Sequence, residues 1–199
     1  VQTDRVHFTG ANNVLKELNV FQQEALTAIK TSFEKKDVVL LHGVTSSGKT
    51  EVYTKLIEDA LTSGKQILFL LPEIALTTQI ISRLENYFGN QISVFHSKYS
   101  MNERVEVWNN VLNNKPKAQI ILGARSSVFL PFSNLGLIIV DEEHETSYKQ
   151  FEPSPRYHAR DTAIVLAHQH KAKIVLGSAT PSLESYFNTQ QGKYGLVSL

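Results

Sequence analysis

The chain has 199 residues, enough for one α/β domain with a full core, and its 42% hydrophobic and 20% charged content is that of a globular protein. A formal net charge of +1 supplies no global attraction to nucleic acid, so any such surface has to be local, and zero cysteines exclude disulfides and cysteine zinc sites within the chain. The lack of cysteine fits a reducing cytoplasm without identifying the compartment; no apolar run approaches the ~18 residues of a membrane span, so no membrane partner is expected, and no signal peptide is visible at the start.

Residues 1–17, VQTDRVHFTGANNVLKE, are polar without a sustained period and read as a linker or the end of a preceding region. The chain opens at Val1 and its one methionine is Met101, so an excised domain is expected. From Leu18 the text LNVFQQEALTAIKTSF spaces Phe21, Ala25, Ile29 and Phe33 as a helix does, with Asn19 available as its cap.

The run 38–42 reads as a strand buried on both faces, and Gly43, Val44, Thr45, Ser46, Ser47, Gly48, Lys49 and Thr50 follow it as an ungapped G-x-x-x-x-G-K-T. Glycines allow successive N–H groups to turn inward around an anion, and a helix opening near Lys49 adds its positive end. Lys49 carries a full charge for terminal phosphates, and the Thr50 hydroxyl is a hard oxygen ligand suited to Mg²⁺. The pattern therefore predicts a P-loop nucleotide site.

Strands and helices then alternate. Strands are expected at 66–71, 92–96, 119–123, 137–141 and 173–177, with helices from about Gly48, Thr77, Asn102, Tyr157 and Ser182. That rhythm predicts an α/β fold with a mostly parallel sheet, helices on both faces and ligands at the carboxyl ends of the strands. Trp108, spaced with Val105 and Leu112 on a helix, reads as core, and the scattered histidines show no metal-ligand spacing.

After the strand at 66–71, Thr77 is placed to cap a helix whose N-terminus points at a phosphate; after 119–123, Arg125, Ser126 and Ser127 form a small donor-rich cluster. Ordinary cap and turn chemistry explains each of these equally well. The strand at 137–141 runs into Asp141, Glu142, Glu143 and His144. Three adjacent carboxylates repel one another, and a divalent cation removes the objection. Asp141 is then a Mg²⁺ ligand opposite Thr50, and Glu142 the base that orients and deprotonates an attacking water. Glu143 and Glu145 read as a solvated acidic loop or as functional groups; the sequence leaves both open. In SYKQFEPSPRYHARD, Tyr148, Phe151 and Tyr157 interleave with Lys149, Arg156 and Arg160, a composition that stacks bases and neutralises phosphates. The alternative is that Tyr148 and Phe151 pack this loop onto the domain.

GVTSSGKT, DEEH and GSAT (Gly177 to Thr180) resemble motifs I, II and III of the superfamily-two helicases, in that order. With LLPEIALT, FHS, GARSSVFLPF, SYKQ, RYHARD and GSATPSLES, the text from Leu18 onward is similar, more narrowly, to the bacterial family of primosomal replication-restart helicases. The resemblance implies a RecA-like first helicase lobe over 18–199, with ATP between it and a second lobe and with catalytic roles for Lys49, Asp141 and Glu142. It implies coupling through His144, Ser178, Ala179 and Thr180. Gln22 matches an upstream glutamine that reads adenine; a solvent-facing helix glutamine is the equal alternative. Branched or single-stranded DNA, the primosome and single-strand-binding proteins are the implied partners, with 3′ to 5′ polarity and a bacterial, nucleoid-associated setting. The second lobe with its arginine finger, and the family's zinc-binding cysteines, have no counterpart in these 199 residues, so little ATP hydrolysis is expected of the chain alone. A double-strand translocase, and a non-enzymatic nucleotide-gated binding module, are the rival readings.

Overall fold

The computed structural model describes residues 17–44, 46–76, 78–96 and 99–199. In chain order the elements are α1 (Val20–Phe33), β1 (Val38–His42), α2 (Lys49–Thr62), β2 (Gln66–Leu70), α3 (Thr78–Phe88), β3 (Ile92–Phe95), α4 (Met101–Leu112), β4 (Ile120–Gly123) and β5 (Leu135–Val140). There follow β6 (Lys149–Gln150), β7 (Tyr157–His158), α5 (Ala159–His170), β8 (Lys173–Ser178), α6 (Leu183–Gln190) and β9 (Gly195–Ser198).

Seven strands form one sheet in the order β3-β4-β2-β5-β8-β1-β9, and every pairing in it is parallel. The strands alternate their side chains between two apolar layers. Val38, Leu40, Ile138, Val140, Ile174 and Leu176 face a layer that includes the α5 residues Ala163 and Ala167. Val39, Leu41, Ile139 and Val175 face a layer closed by Ala25, Leu26 and Ile29 of α1 and by Val52, Leu56 and Ile57 of α2. Burial on both sides is why the strands read as unbroken apolar runs rather than as alternating ones. Asn19 and Gln22 start α1 with reciprocal bonds, Gln22 N–H to Asn19 Oδ1 at 2.9 Å and Asn19 N–H to Gln22 Oε1 at 3.0 Å.

The expected parallel α/β architecture is present, and the departures from it have local causes. β9 was not anticipated: only four residues long, it is a strand because β1 offers it a parallel edge. The helix expected from about Tyr157 begins at Ala159, because Tyr157 and His158 pair antiparallel with Gln150 and Lys149. The apolar stripe of α4 was expected in the core, yet Trp108 is 43% exposed and Val105 and Leu112 are each 50% exposed. This helix lies beside β3, the last strand of the sheet, and Val111 is the residue it buries. Phe21 likewise stands outside α1's buried face, which is Gln22, Ala25, Leu26 and Ile29. Among the described residues no helix is long and apolar enough to cross a membrane.

Because Ile139 is fully buried between strands and helices while Phe21 is 72% exposed, the two should respond oppositely to truncation. Ile139→Ala is expected to lower unfolding free energy by about 2–5 kcal/mol in urea titrations, and Phe21→Ala to change it by less than about 0.5 kcal/mol. Equal losses would contradict the assignment of the core.

Candidate functional site

A parallel sheet sends all its strand ends the same way, and three neighbouring ends build the site. β8 lies between β5 and β1, with Val140 paired to Leu176 and His42 to Ser178. The loop after β1, the acidic residues after β5 and the GSAT segment that ends β8 and continues past it therefore share one end of the sheet, where a doubly wound fold binds its ligand.

Gly48 enters α2 with φ +92°, a conformation open to glycine at little cost, and a Cβ there would lie 2.0 Å from Gln22 Nε2. The close approach seats Gln22, itself 7% exposed, directly on the loop. Lys49 Nζ donates to Gly43 O at 2.8 Å and stands 3.9 Å from Glu142 Oε1. Gly43, Ser46, Ser47 and Thr50 belong to the same described loop and helix start, with Val44 exposed at its outer side; Thr45 lies outside the described residues. A cavity of about 420 Å³ is lined by Asn19, Gln22, Ser46 to Glu51, Arg83, Asp141 and Glu142. Arg83, which the sequence reading did not single out, reaches this rim from α3 and pairs with Glu51. Nothing in the local text around Arg83 points to it, since the contact spans 32 positions.

Each of the three acidic residues has its own environment. Asp141 Oδ1 accepts from the Tyr53 hydroxyl at 2.9 Å, and the Asp141 carbonyl accepts from the Tyr148 hydroxyl at 2.7 Å. Burial pushes the Asp141 carboxyl up from its ordinary value to about 6, with the Tyr53 hydrogen bond pulling the other way. Glu142 has φ +48°, left-handed backbone for a non-glycine residue, and its carboxylate lies between Lys49 and His144, 3.7 Å from His144 Nδ1. Glu143 is fully buried. Its Oε1 accepts from Ser182 N–H at 2.6 Å, and its Oε2 from Arg160 Nη1 at 3.0 Å, Ser182 Oγ at 3.0 Å and Ser185 Oγ at 2.8 Å. The sequence left Glu143 open between a solvated loop and a role; the structure excludes solvation.

His144 joins the acidic segment to GSAT. Its Nδ1 is 2.7 Å from Ser178 Oγ and its Nε2 is 3.2 Å from Thr180 Oγ1; a tautomer protonated on Nε2 satisfies both contacts. Ala179 contributes its carbonyl to His42 Nε2 at 3.2 Å.

The residues expected to face DNA divide into two groups. Lys149, Phe151 and Arg156 are exposed, Lys149 Nζ sits 4.9 Å from the Phe151 ring centre, and Tyr157 packs edge-on against Phe129 at 4.8 Å. Arg125 Nη1 donates to Lys149 O at 3.4 Å, and Ser126 is exposed beside it, so the segment after β4 and the loop after β5 form one surface. Phe129, 50% exposed, joins this surface and was missed because its place in GARSSVF looked like an ordinary apolar position. Tyr148 and Arg160 are corrections. Tyr148 is 1% exposed with its hydroxyl bound to Asp141, and Arg160 is 7% exposed and paired with Glu143, so neither offers its side chain to a polyanion here. Thr77 lies outside the described residues.

The donor set fits a magnesium nucleotide. Lys49 and the α2 N-terminus supply positive charge, Ser47 Oγ is buried without a partner among the described residues, and the Thr50 hydroxyl and the Asp141 carboxylate are hard oxygen ligands lining the same cavity. Magnesium commonly takes one or two protein carboxylates and completes its shell with phosphate oxygens and water.

The chain matches the DEAD/DEAH box helicase family over residues 19–188. It is 48% identical over 180 residues to the replication restart protein PriA of Bacillus subtilis (strain 168), covering 89% of this chain and 22% of that protein. The PriA of Haemophilus influenzae is 48% identical over 183 residues, 92% of this chain and 25% of the relative. The chain thus spans about a quarter of the length of the curated relatives it matches. Among solved structures, RecG bound to a three-way DNA junction superposes with a TM-score of 0.67 at 23% identity, over 92% of this chain and 24% of that one. The DUF1998 helicase MrfA bound to DNA and AMPPNP gives 0.63 at 20% identity, over 92% and 27% of the two chains. At such identities the likeness establishes the shared RecA-like α/β fold.

The raised Asp141 pKa has a defined consequence for stability. In the window between the ordinary carboxylate range and about 6 the folded protein holds a proton that the unfolded chain has lost. This group's stabilisation is therefore complete below the ordinary range and disappears as pH rises through about 6. Tyr53→Phe removes the hydrogen bond that lowers the pKa, so the Asp141 carboxyl-carbon titration followed by NMR is expected to move to higher pH. An unchanged or lower midpoint would remove Tyr53 from that role.

Proposed function

Since the chain belongs to the DEAD/DEAH box helicase family and corresponds to a helicase lobe of the PriA replication-restart proteins, we propose that it is the ATP-binding first lobe, 18–199, of a 3′ to 5′ DNA helicase acting at stalled or branched replication forks. The observation that carries this reading is the approach of Lys49 to Glu142, 3.9 Å across a cavity that also contains Thr50 and Asp141.

In this reading the backbone from Gly43 to Thr50 holds the phosphates and Lys49 leaves the Gly43 carbonyl to neutralise the terminal ones. Gln22, seated on Gly48, reads the adenine edge. Thr50 and Asp141 would hold Mg²⁺, which when bound supplies charge neutralisation at the β- and γ-phosphates. Glu142 accepts a proton from water, and its left-handed backbone aims the carboxylate between Lys49 and His144. His144, Ser178, Ala179 and Thr180 couple the nucleotide state to the rest of the lobe. Lys149, Phe151, Arg156, Tyr157, Arg125 and Ser126 meet single-stranded or branched DNA, through stacking and phosphate contacts. A second RecA-like lobe completes the ATP site, so this lobe alone hydrolyses little. Primosome components and single-strand-binding proteins are the partners, in a bacterial cytoplasm at the nucleoid.

Glu142→Gln tests the assignment in the full-length protein. Binding of a fluorescent ATP analogue is expected to persist while hydrolysis falls by about 10²- to 10⁴-fold, whereas Lys49→Ala is expected to lose the analogue itself. Hydrolysis unchanged by Glu142→Gln would transfer the base role elsewhere. For the DNA surface, Lys149→Ala with Arg156→Ala is expected to weaken oligonucleotide binding and flatten its dependence on log salt by about 1 per lost contact. An unchanged slope would remove these two residues from the DNA interface.

A further inference from the structure

The α2 N-terminus offers its positive end to phosphate, yet the first turn of that helix carries a carboxylate, Glu51, whose side chain is 13% exposed and lines the same cavity. A carboxylate beside the seat of a polyanion is unfavourable unless it is neutralised and has another group to bind. Arg83 of α3 meets the first condition. Its Nη2 pairs with Glu51 Oε1 and ties the rim of the cavity to the start of α2.

The second oxygen of Glu51 lies against the P-loop. A Cβ at Gly48 would be 3.4 Å from Glu51 Oε2 and 2.0 Å from Gln22 Nε2, so both atoms sit over the same glycine. Gln22 Oε1 is committed to α1, where it accepts the Asn19 N–H at 3.0 Å. Over Gly48, Gln22 therefore presents its amide NH₂, a donor, and Glu51 presents a carboxylate oxygen, an acceptor.

Adenine has the complementary pattern on one edge, an acceptor at N7 and a donor at its 6-amino group, whereas guanine has acceptors at both N7 and O6. The Gln22 amide serves N7 of either base. Only adenine serves Glu51, because guanine O6 would set one acceptor against another that is charged and has no proton to share. Gln22 turns its own oxygen into the capping box, so the acceptor for adenine's amino group has to come from a neighbour.

We propose that Glu51 is a specificity-determining residue of the nucleotide site, its Oε2 accepting the 6-amino group of adenine beside Gln22, and that Arg83 is a positioning residue that holds and neutralises this carboxylate. The inference rests on the ATPase reading above and adds to it the group that separates adenine from guanine. Glu51 has no part in binding phosphate or magnesium in this assignment.

The test uses full-length protein with magnesium and measures Kd for ATP, GTP and inorganic tripolyphosphate by calorimetry, with thermal unfolding as a check on each variant's fold. The ATP-over-GTP ratio is the decisive quantity, because a change in phosphate binding moves all three ligands together and cancels from it. Glu51→Gln keeps the volume and can turn either its oxygen or its amide NH₂ to the base, so it is expected to narrow the ratio by about 10- to 100-fold. Arg83→Gln leaves the carboxylate in place but unheld, and its ratio is expected to fall between those of wild type and Glu51→Gln, with Arg83→Lys nearer wild type. Full ATP preference in folded Glu51→Gln overturns the proposal and leaves base selection to Gln22. An equal change for both nucleotides and tripolyphosphate overturns it by placing Glu51 on the phosphates. Should Glu51→Gln unfold, the rim variant Arg83→Gln decides, and a wild-type ratio there overturns the proposal. Wild-type protein that binds ATP and GTP equally sinks this inference and leaves the nucleotide site standing; wild-type protein that binds neither nucleotide sinks the proposed function itself.

Discussion

Three consecutive carboxylates at the end of β5 are tolerated because the fold gives each a different counterpart. Asp141 is held by the Tyr53 hydroxyl, Glu142 faces Lys49 and His144, and Glu143 is withdrawn from water into a cage of Arg160, Ser182 and Ser185. Adjacent like charges at small separation in a low-dielectric setting are strongly unfavourable, so their separation into three environments is the condition on which the site stands. The rise in Asp141's pKa reflects how incompletely its burial is compensated by the protein's own groups.

The position of β8 makes this separation possible. Lying between β5 and β1, it delivers Ser178 to His144, brings Gly177 against Tyr53 and Asp141, and leads into the Ser182 cap that Glu143 binds. Gly177 has no room for a side chain: a Cβ there would sit 1.7 Å from the Tyr53 hydroxyl. The glycine of GSAT is thus required by a contact made in the neighbouring helix, and three motifs far apart in the chain meet as one packed unit. The acidic segment and GSAT are not separate layers here, since His144 alone reaches Ser178, Thr180 and Glu142.

Much of the fold was legible because its signals are local. Apolar runs such as VVLL and LIIV are bounded by polar or glycine-rich text, and the expected strand ends fall within two residues of those observed. What escaped was set by non-local pairing: β9 borrows its order from β1, the β6–β7 pair moves the start of α5, and α4 exposes Trp108 because the sheet ends beside it. At the site, the ungapped glycine-rich loop and the DEEH text locate Lys49, Asp141 and Glu142 without coordinates. Reading Tyr148 and Arg160 as DNA-facing followed from composition, which records that aromatics and cations alternate but not which of them turn inward.

By itself the sequence determined the parallel α/β class, the order of the three motifs and which residues stand at the strand ends, because apolar runs, glycines and carboxylates mark those points within a few consecutive residues. Only the tertiary structure decided which charges are shared. Whether Glu143 is solvated or buried, and whether Arg160 meets DNA or Glu143, depends on contacts across 17 and 39 positions that link Glu143 to Arg160 and Ser182. Hydrogen-bond geometry and desolvation act on atoms in space, and no local pattern encodes them.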